Sequence, residues 1–132
     1  MSPKSVAEKL LIKPSTSVWS SDASHRDLIE PLPADVRYVD RPDAATTALV
    51  FAHDAAELRE LLDAHKDQLA APSAFWVAYQ KANRADINRD SLWPILAGYG
   101  MRPISQVSVD AVWSALRFRA LREGEPPFTG GR

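Results

Sequence analysis

Three features of the 132-residue sequence predict a three-layer, Rossmann-like α/β domain with a mostly parallel sheet closed by a C-terminal antiparallel hairpin. Two continuous apolar runs of strand length, TALVFA at 47–52 and AFWVAY at 74–79, have the pattern of parallel strands buried on both faces. Between them, Leu58, Leu61, Leu62, His65 and Leu69 recur at helical spacing, so the order is strand, helix, strand, a right-handed crossover unit. Near the end of the chain, residues 102–110 and 113–119 alternate around Asp110 and Ala111, as an antiparallel hairpin does.

The remaining elements follow in order. Residues 1–9 read as a short, flexible helical lead-in, and Val18, Trp19 and Ser20 as a first strand. Ser21, Asp22 or Ser24 is positioned to cap a brief helix that Pro31 and Pro33 stop. VRYV at 36–39 is a second short strand, and RPDAAT a loop. After TALVFA, Asp54 with Glu57 three residues on makes a capping-box-like start to a helix of about four turns, which Pro72 ends. A helix from 91 to about 97 takes Ser91 as its N-cap, because Pro94 then falls at the third helical position, where a missing N–H costs nothing. Gly98 and Gly100 close it, and residues 121–132 form a flexible tail. The whole chain is expected to be one domain.

Composition narrows the function classes. With 45% hydrophobic and 25% charged residues the chain is globular, and a formal charge of −1 supplies no general attraction to nucleic acid or to an anionic membrane. There is no cysteine, which removes disulfides, thiolate chemistry and cysteine-ligated metals. The N-terminal apolar stretch is short and broken by Lys9 and Lys13, so neither a secretory signal nor a membrane span is expected, and the chain reads as cytoplasmic.

Chemistry on such a sheet usually starts from glycines after the first strand, where backbone must approach a nucleotide or methyl donor closely. Here that stretch is VWSSDASHRD, and all five glycines lie at or after position 98. Neither a dinucleotide fingerprint nor a phosphate-cradling P-loop is present, so no cofactor is expected. His25, His53 and His65 are scattered and form no short ligand pair, so no metal site is expected; His65, on the apolar side of its helix, reads as a packing residue.

Two surfaces remain. Strand 74–79 ends at the edge where open α/β sheets place ligands, and Lys81, Asn83 and Arg84 leave from it. They are candidates for a small anionic ligand, with His53, just past the end of strand 47–52, as the acid–base group. The aspartates and asparagine of the same stretch, KANRADINRDSLWPI, are equally suited to bonding their own backbone, which is a purely structural role. The second surface is VWSALRF, where Trp113 and Arg117 share one side of a strand; with Trp93 they exceed what one small core needs and suit a subunit interface more than nucleic acid.

The run FWVAYQKANRADINRDSLWPILAGYGMRPISQVSVDAVWSALRFR resembles one half of a small bacterial family, frequent in actinobacteria, that is known as a domain of unknown function. LLIKPSTSVW is similar to the lysine-proline opening before that family's first strand, so the resemblance covers most of the chain. Gln80 and Ala82 depart from the proline and small residue that flank the lysine in that family. The resemblance implies a reduced methyltransferase-like fold with strand order 2-1-3-4-6-5, and brings no catalytic residues. The expectation from these readings is a non-catalytic domain that acts through protein contacts as a homodimer. The alternative is an enzyme, or a binder of a small anionic or nucleotide-like ligand, with its site at the C-terminal sheet edge.

Overall fold

The structure, a computed structural model, describes residues 5–81 and 87–126. Its centre is a six-stranded sheet of order β2-β1-β3-β4-β6-β5, the order expected. The strands are β1 (Ser17–Ser20), β2 (Arg37–Tyr38), β3 (Thr47–Ala52), β4 (Ala74–Gln80), β5 (Met101–Ser108) and β6 (Trp113–Ala120). Strands β1 to β4 pair in parallel, and β6 runs antiparallel to both β4 and β5. Among the described residues, three α-helices accompany them: α1 (Val6–Lys9), α2 (Ala55–Ala64) and α3 (Arg89–Ala97).

β3 is buried along its whole length because both of its faces are covered. Ala48, Val50 and Ala52 point to one side, where Leu58 and Leu62 of α2 and Leu92 and Leu96 of α3 pack. Leu49 and Phe51 point to the other, against Leu10, Ile12, Ile29, Trp76 and Trp113. Leu58, Leu62, Leu92 and Leu96 are fully enclosed, and burial of each contributes about 1.5–3 kcal/mol. On β6 the expected alternation holds: Leu116 and Phe118 join the α2/α3 side, and Trp113 and Ala115 the other. Trp76 closes the second layer by donating its indole N–H to the Leu10 carbonyl at 3.0 Å, which satisfies a buried polar group at both ends.

Several boundaries differ from expectation for local reasons. α3 starts two residues early because its cap is Asn88 and not Ser91. The Asn88 side chain accepts from the N–H groups of Asp90 and Ser91, and Ser91 Oγ accepts from Asn88 N–H, a reciprocal box that satisfies more donors than Ser91 alone would. Pro94 therefore lies inside the helix, past the free first turn, and one intrahelical bond is given up. α2 is ten residues long and stops at His65, whose φ of −120° is not helical; the chain continues as a single 3-10 turn, Lys66–Gln68. His65 packs edge-on against Trp19, as a structural residue would. Gly100, at φ +75°, makes the left-handed turn from α3 into β5.

Candidate functional site

The C-terminal ends of β1 and β3 lie side by side, and the side chains that leave them converge. Beyond β1, Ser21 N–H donates to the Leu49 carbonyl and Ser21 Oγ accepts from Phe51 N–H at 2.8 Å, so the pairing with β3 runs one residue past the strand. Asp22 then caps a 3-10 helix, Ala23–Leu28; its Oδ1 accepts from Ser24 N–H (2.9 Å) and from the Ser24 hydroxyl (2.6 Å). One turn on, His25 returns over Asp22, with Nε2 at 3.6 Å from Asp22 Oδ2.

At the end of β3, His53 precedes the α2 cap Asp54, whose Oδ1 accepts from Glu57 N–H at 2.7 Å. Glu57 reaches back, and its Oε1 accepts from His53 N–H (3.0 Å) and lies 2.7 Å from His53 Nδ1. The start of the helix thus fixes the imidazole, with Nδ1 tied to a carboxylate and Nε2 turned outward. That Nε2 meets His25 Nε2 at 3.0 Å. Behind the pair stand Phe51, 4.8 Å from His25 between ring centroids, and Trp113, 5.1 Å from His25 and 5.4 Å from His53. The cluster is half-buried and open to solvent, His25 being 24% and His53 37% exposed at the side chain. The bonds from Ser24 hold the Asp22 carboxyl below its usual range; burial opposes them in part, and the neighbouring histidines add to the lowering.

Other sequence candidates go elsewhere. Lys81 Nζ donates to Ser108 Oγ (2.7 Å) and to the Asp110 carbonyl (2.6 Å), so it staples the β5–β6 turn. Asn83 and Arg84 lie outside the described residues. Trp93 packs against the α2/α3 side of the sheet and Trp113 is buried in the opposite layer, so the two do not share a surface. Arg117, toward the other end of the strands, donates to the Ser73 carbonyl at 3.1 Å and lines a shallow cleft with Lys13 and Thr47. A wider groove between the α1 region and Pro31–Pro33 is equally remote from the histidines in its lining.

No family model matches the chain, and no curated protein matches it. Among solved structures, a protein of the NADB-Rossmann superfamily from Streptococcus agalactiae is similar over 98% of this chain and 72% of its own, at 10% identity and a TM-score of 0.57. The Bacillus subtilis m1A22 tRNA methyltransferase TrmK is similar over 87% of this chain and 63% of its own, at 12% identity and a TM-score of 0.51. A Streptococcus pneumoniae candidate tRNA (m1A22) methyltransferase, solved with S-adenosyl-L-methionine, covers 94% of this chain and 72% of its own, at 10% identity and a TM-score of 0.53. The fold is methyltransferase-like and Rossmann-like.

That likeness corrects two expectations. A non-catalytic domain working through protein contacts as a homodimer is set aside, because solved proteins of this fold are named as methyltransferases and one holds a small ligand. The tryptophans invoked for the interface are accounted for by two separate core layers. Setting nucleic acid aside on net charge is likewise overturned, since relatives in fold are named for tRNA. No helix among the described residues is long and apolar enough to cross a membrane.

The histidines, scattered in the sequence, are partly gathered by the fold: Asp22, His25 and His53 present ligand atoms within 4.8 Å of one another. The sequence alone marks His53 as a candidate, Asp22 and Glu57 as caps, and His25 as an isolated histidine. The usable signal was positional, since Asp22/His25 and His53/Glu57 each follow a strand, and those strands are neighbours in the sheet.

Proposed function

We propose that the protein is an enzyme whose site is the Asp22–His25–His53–Glu57 cluster at the C-terminal edge of β1 and β3, taking a small anionic or nucleotide-like ligand. The observation that carries this reading is the held pair of imidazoles, 3.0 Å apart, with Glu57 bonded to the far nitrogen of one and Asp22 beside the other. Imidazole changes charge near neutral pH, and a carboxylate on Nδ1 fixes tautomer and orientation, which is what a general acid or base needs. The edge itself is where open α/β sheets take their ligands. Fold alone does not assign a reaction, and the glycine-free turn after β1, filled by Asp22 and His25, is not the usual cradle for a methyl donor.

The test is an NMR ligand panel on protein kept metal-free with a chelator: inorganic phosphate, adenosine monophosphate, S-adenosylmethionine and a short single-stranded RNA. At least one is expected to shift Ser21, His25, His53 and Trp113 together, and His53→Gln is expected to abolish that response. Binding confined to other surfaces, or an unchanged response in the variant, overturns the proposal.

A further inference from the structure

Asp22 and His53 each have one polar atom anchored, His25 is held by ring contacts, and a further polar atom of each faces the other two. Asp22 Oδ1 is taken by Ser24, which leaves Oδ2 facing the histidines. His53 Nδ1 is taken by Glu57, which leaves Nε2. His25 is seated on Phe51 and Trp113 with its Nε2 directed the same way. The three remaining atoms, of which the two imidazole nitrogens contact each other, form a triangle with sides of 3.0, 3.6 and 4.0 Å. Such a triangle has a circumradius of about 2.1 Å, so a single point stands at Zn–N and Zn–O bonding distance from all three atoms.

We propose that Asp22, His25 and His53 bind a divalent first-row transition cation, an inference that rests on the placement of the ligand site at this edge. Two imidazoles and one carboxylate suit zinc, cobalt or iron(II) and do not suit magnesium or calcium, which prefer all-oxygen shells. Glu57 supplies the second interaction that metal-bound histidines almost always have, fixing the orientation of the His53 ring. A proton relay from His25 through His53 to Glu57 accounts for the 3.0 Å contact between the rings, but it gives no use to Asp22 Oδ2. Three protein donors leave a position for water or for a ligand oxygen, so the substrate class is one that offers a phosphate or carboxylate oxygen to the cation.

The experiment is a titration of chelator-stripped full-length protein with cobalt(II) chloride, read by visible absorption, and with zinc chloride, read by calorimetry. One equivalent is expected to bind, with affinity lost in His25→Ala and Asp22→Asn, reduced roughly 10–100-fold in Glu57→Ala and unchanged in His65→Gln. Because variants can misfold, imidazole nitrogen NMR of the unaltered chain gives a second readout: zinc is expected to move the Nε2 signals of His25 and His53 and to leave His65 in place. No stoichiometric binding, or binding that leaves those two Nε2 signals still, overturns the metal site. The two proposals fail separately: panel binding by metal-free protein together with no cobalt signal removes only the cation, whereas cation binding with no ligand response from either the metal-free or the zinc-loaded protein removes only the substrate reading.

Discussion

Asp22 shows how much one residue is asked to do. It caps the 3-10 turn through Oδ1 and faces two histidines through Oδ2, and its carboxyl is held below the ordinary value chiefly by the Ser24 hydroxyl. A lowered carboxyl contributes stability that is fully present above the unfolded value, 3.8, and is lost as pH falls through the folded one. Ser24→Ala is therefore expected to raise the Asp22 titration midpoint toward that value, read by carboxyl carbon NMR; an unmoved midpoint would show that the histidines and not Ser24 set it. The role of Asp22 as a cap was legible in the sequence, whereas its second role was not, because the partner His53 is thirty-one residues away in the sequence.

At the scale of elements, α3 carries the clearest lesson. Helix starts are read from short local patterns, and NRDS offers two overlapping ones. Ser91 wins on the accounting of Pro94 alone, while Asn88 wins once side-chain bonds in both directions are included. Asn88→Ala is expected to cost about 1 kcal/mol, within a range of roughly 0.5–2, measured by urea unfolding, and Ser91→Ala less, because Asn88 still accepts from two backbone N–H groups. α2 shows the same competition at its other end. His65 continues the apolar spacing but is drawn against Trp19, and the helix gives way to a tighter turn.

For the molecule as a whole, the C-terminal hairpin is where the sequence left a loose end. Arg102 and Arg119 stand directly opposite on β5 and β6, a like-charge pair that opposes pairing unless something neutralises it. Glu125, in the segment expected to be a flexible tail, accepts from both guanidinium groups of Arg119 and Arg102, at 2.7–2.9 Å, and also from Arg122 N–H. The Arg119 guanidinium, with these other donors, holds the Glu125 carboxyl well below the usual carboxylate range. The clamp is thus complete above the ordinary value of 4.5 and is lost only as pH falls through the much lower folded value. Glu125→Gln is expected to speed amide exchange at Leu121 and along β5 at neutral pH while β3 and β4 stay protected; equal loss of protection throughout the sheet would contradict a local clamp.

The apolar runs of β3 and β4, the amphipathic α2 and the alternating β5–β6 hairpin determined the layered fold and the faces of β6, because each rests on periodicity within a short stretch, whereas the strand order came from the resemblance to a methyltransferase-like sheet. Only the tertiary structure decided where the chemistry lies. Asp22, His25, His53 and Glu57 each read locally as a cap, a lone histidine or a helix start, and they become a site because parallel pairing of β1 with β3 sets the two strand ends side by side. The same three-dimensional accounting moved Trp113 from a presumed interface to the wall behind the imidazoles and turned Lys81 into a staple. Parallel pairing joins segments distant in sequence, and no local pattern records which side chains meet across it.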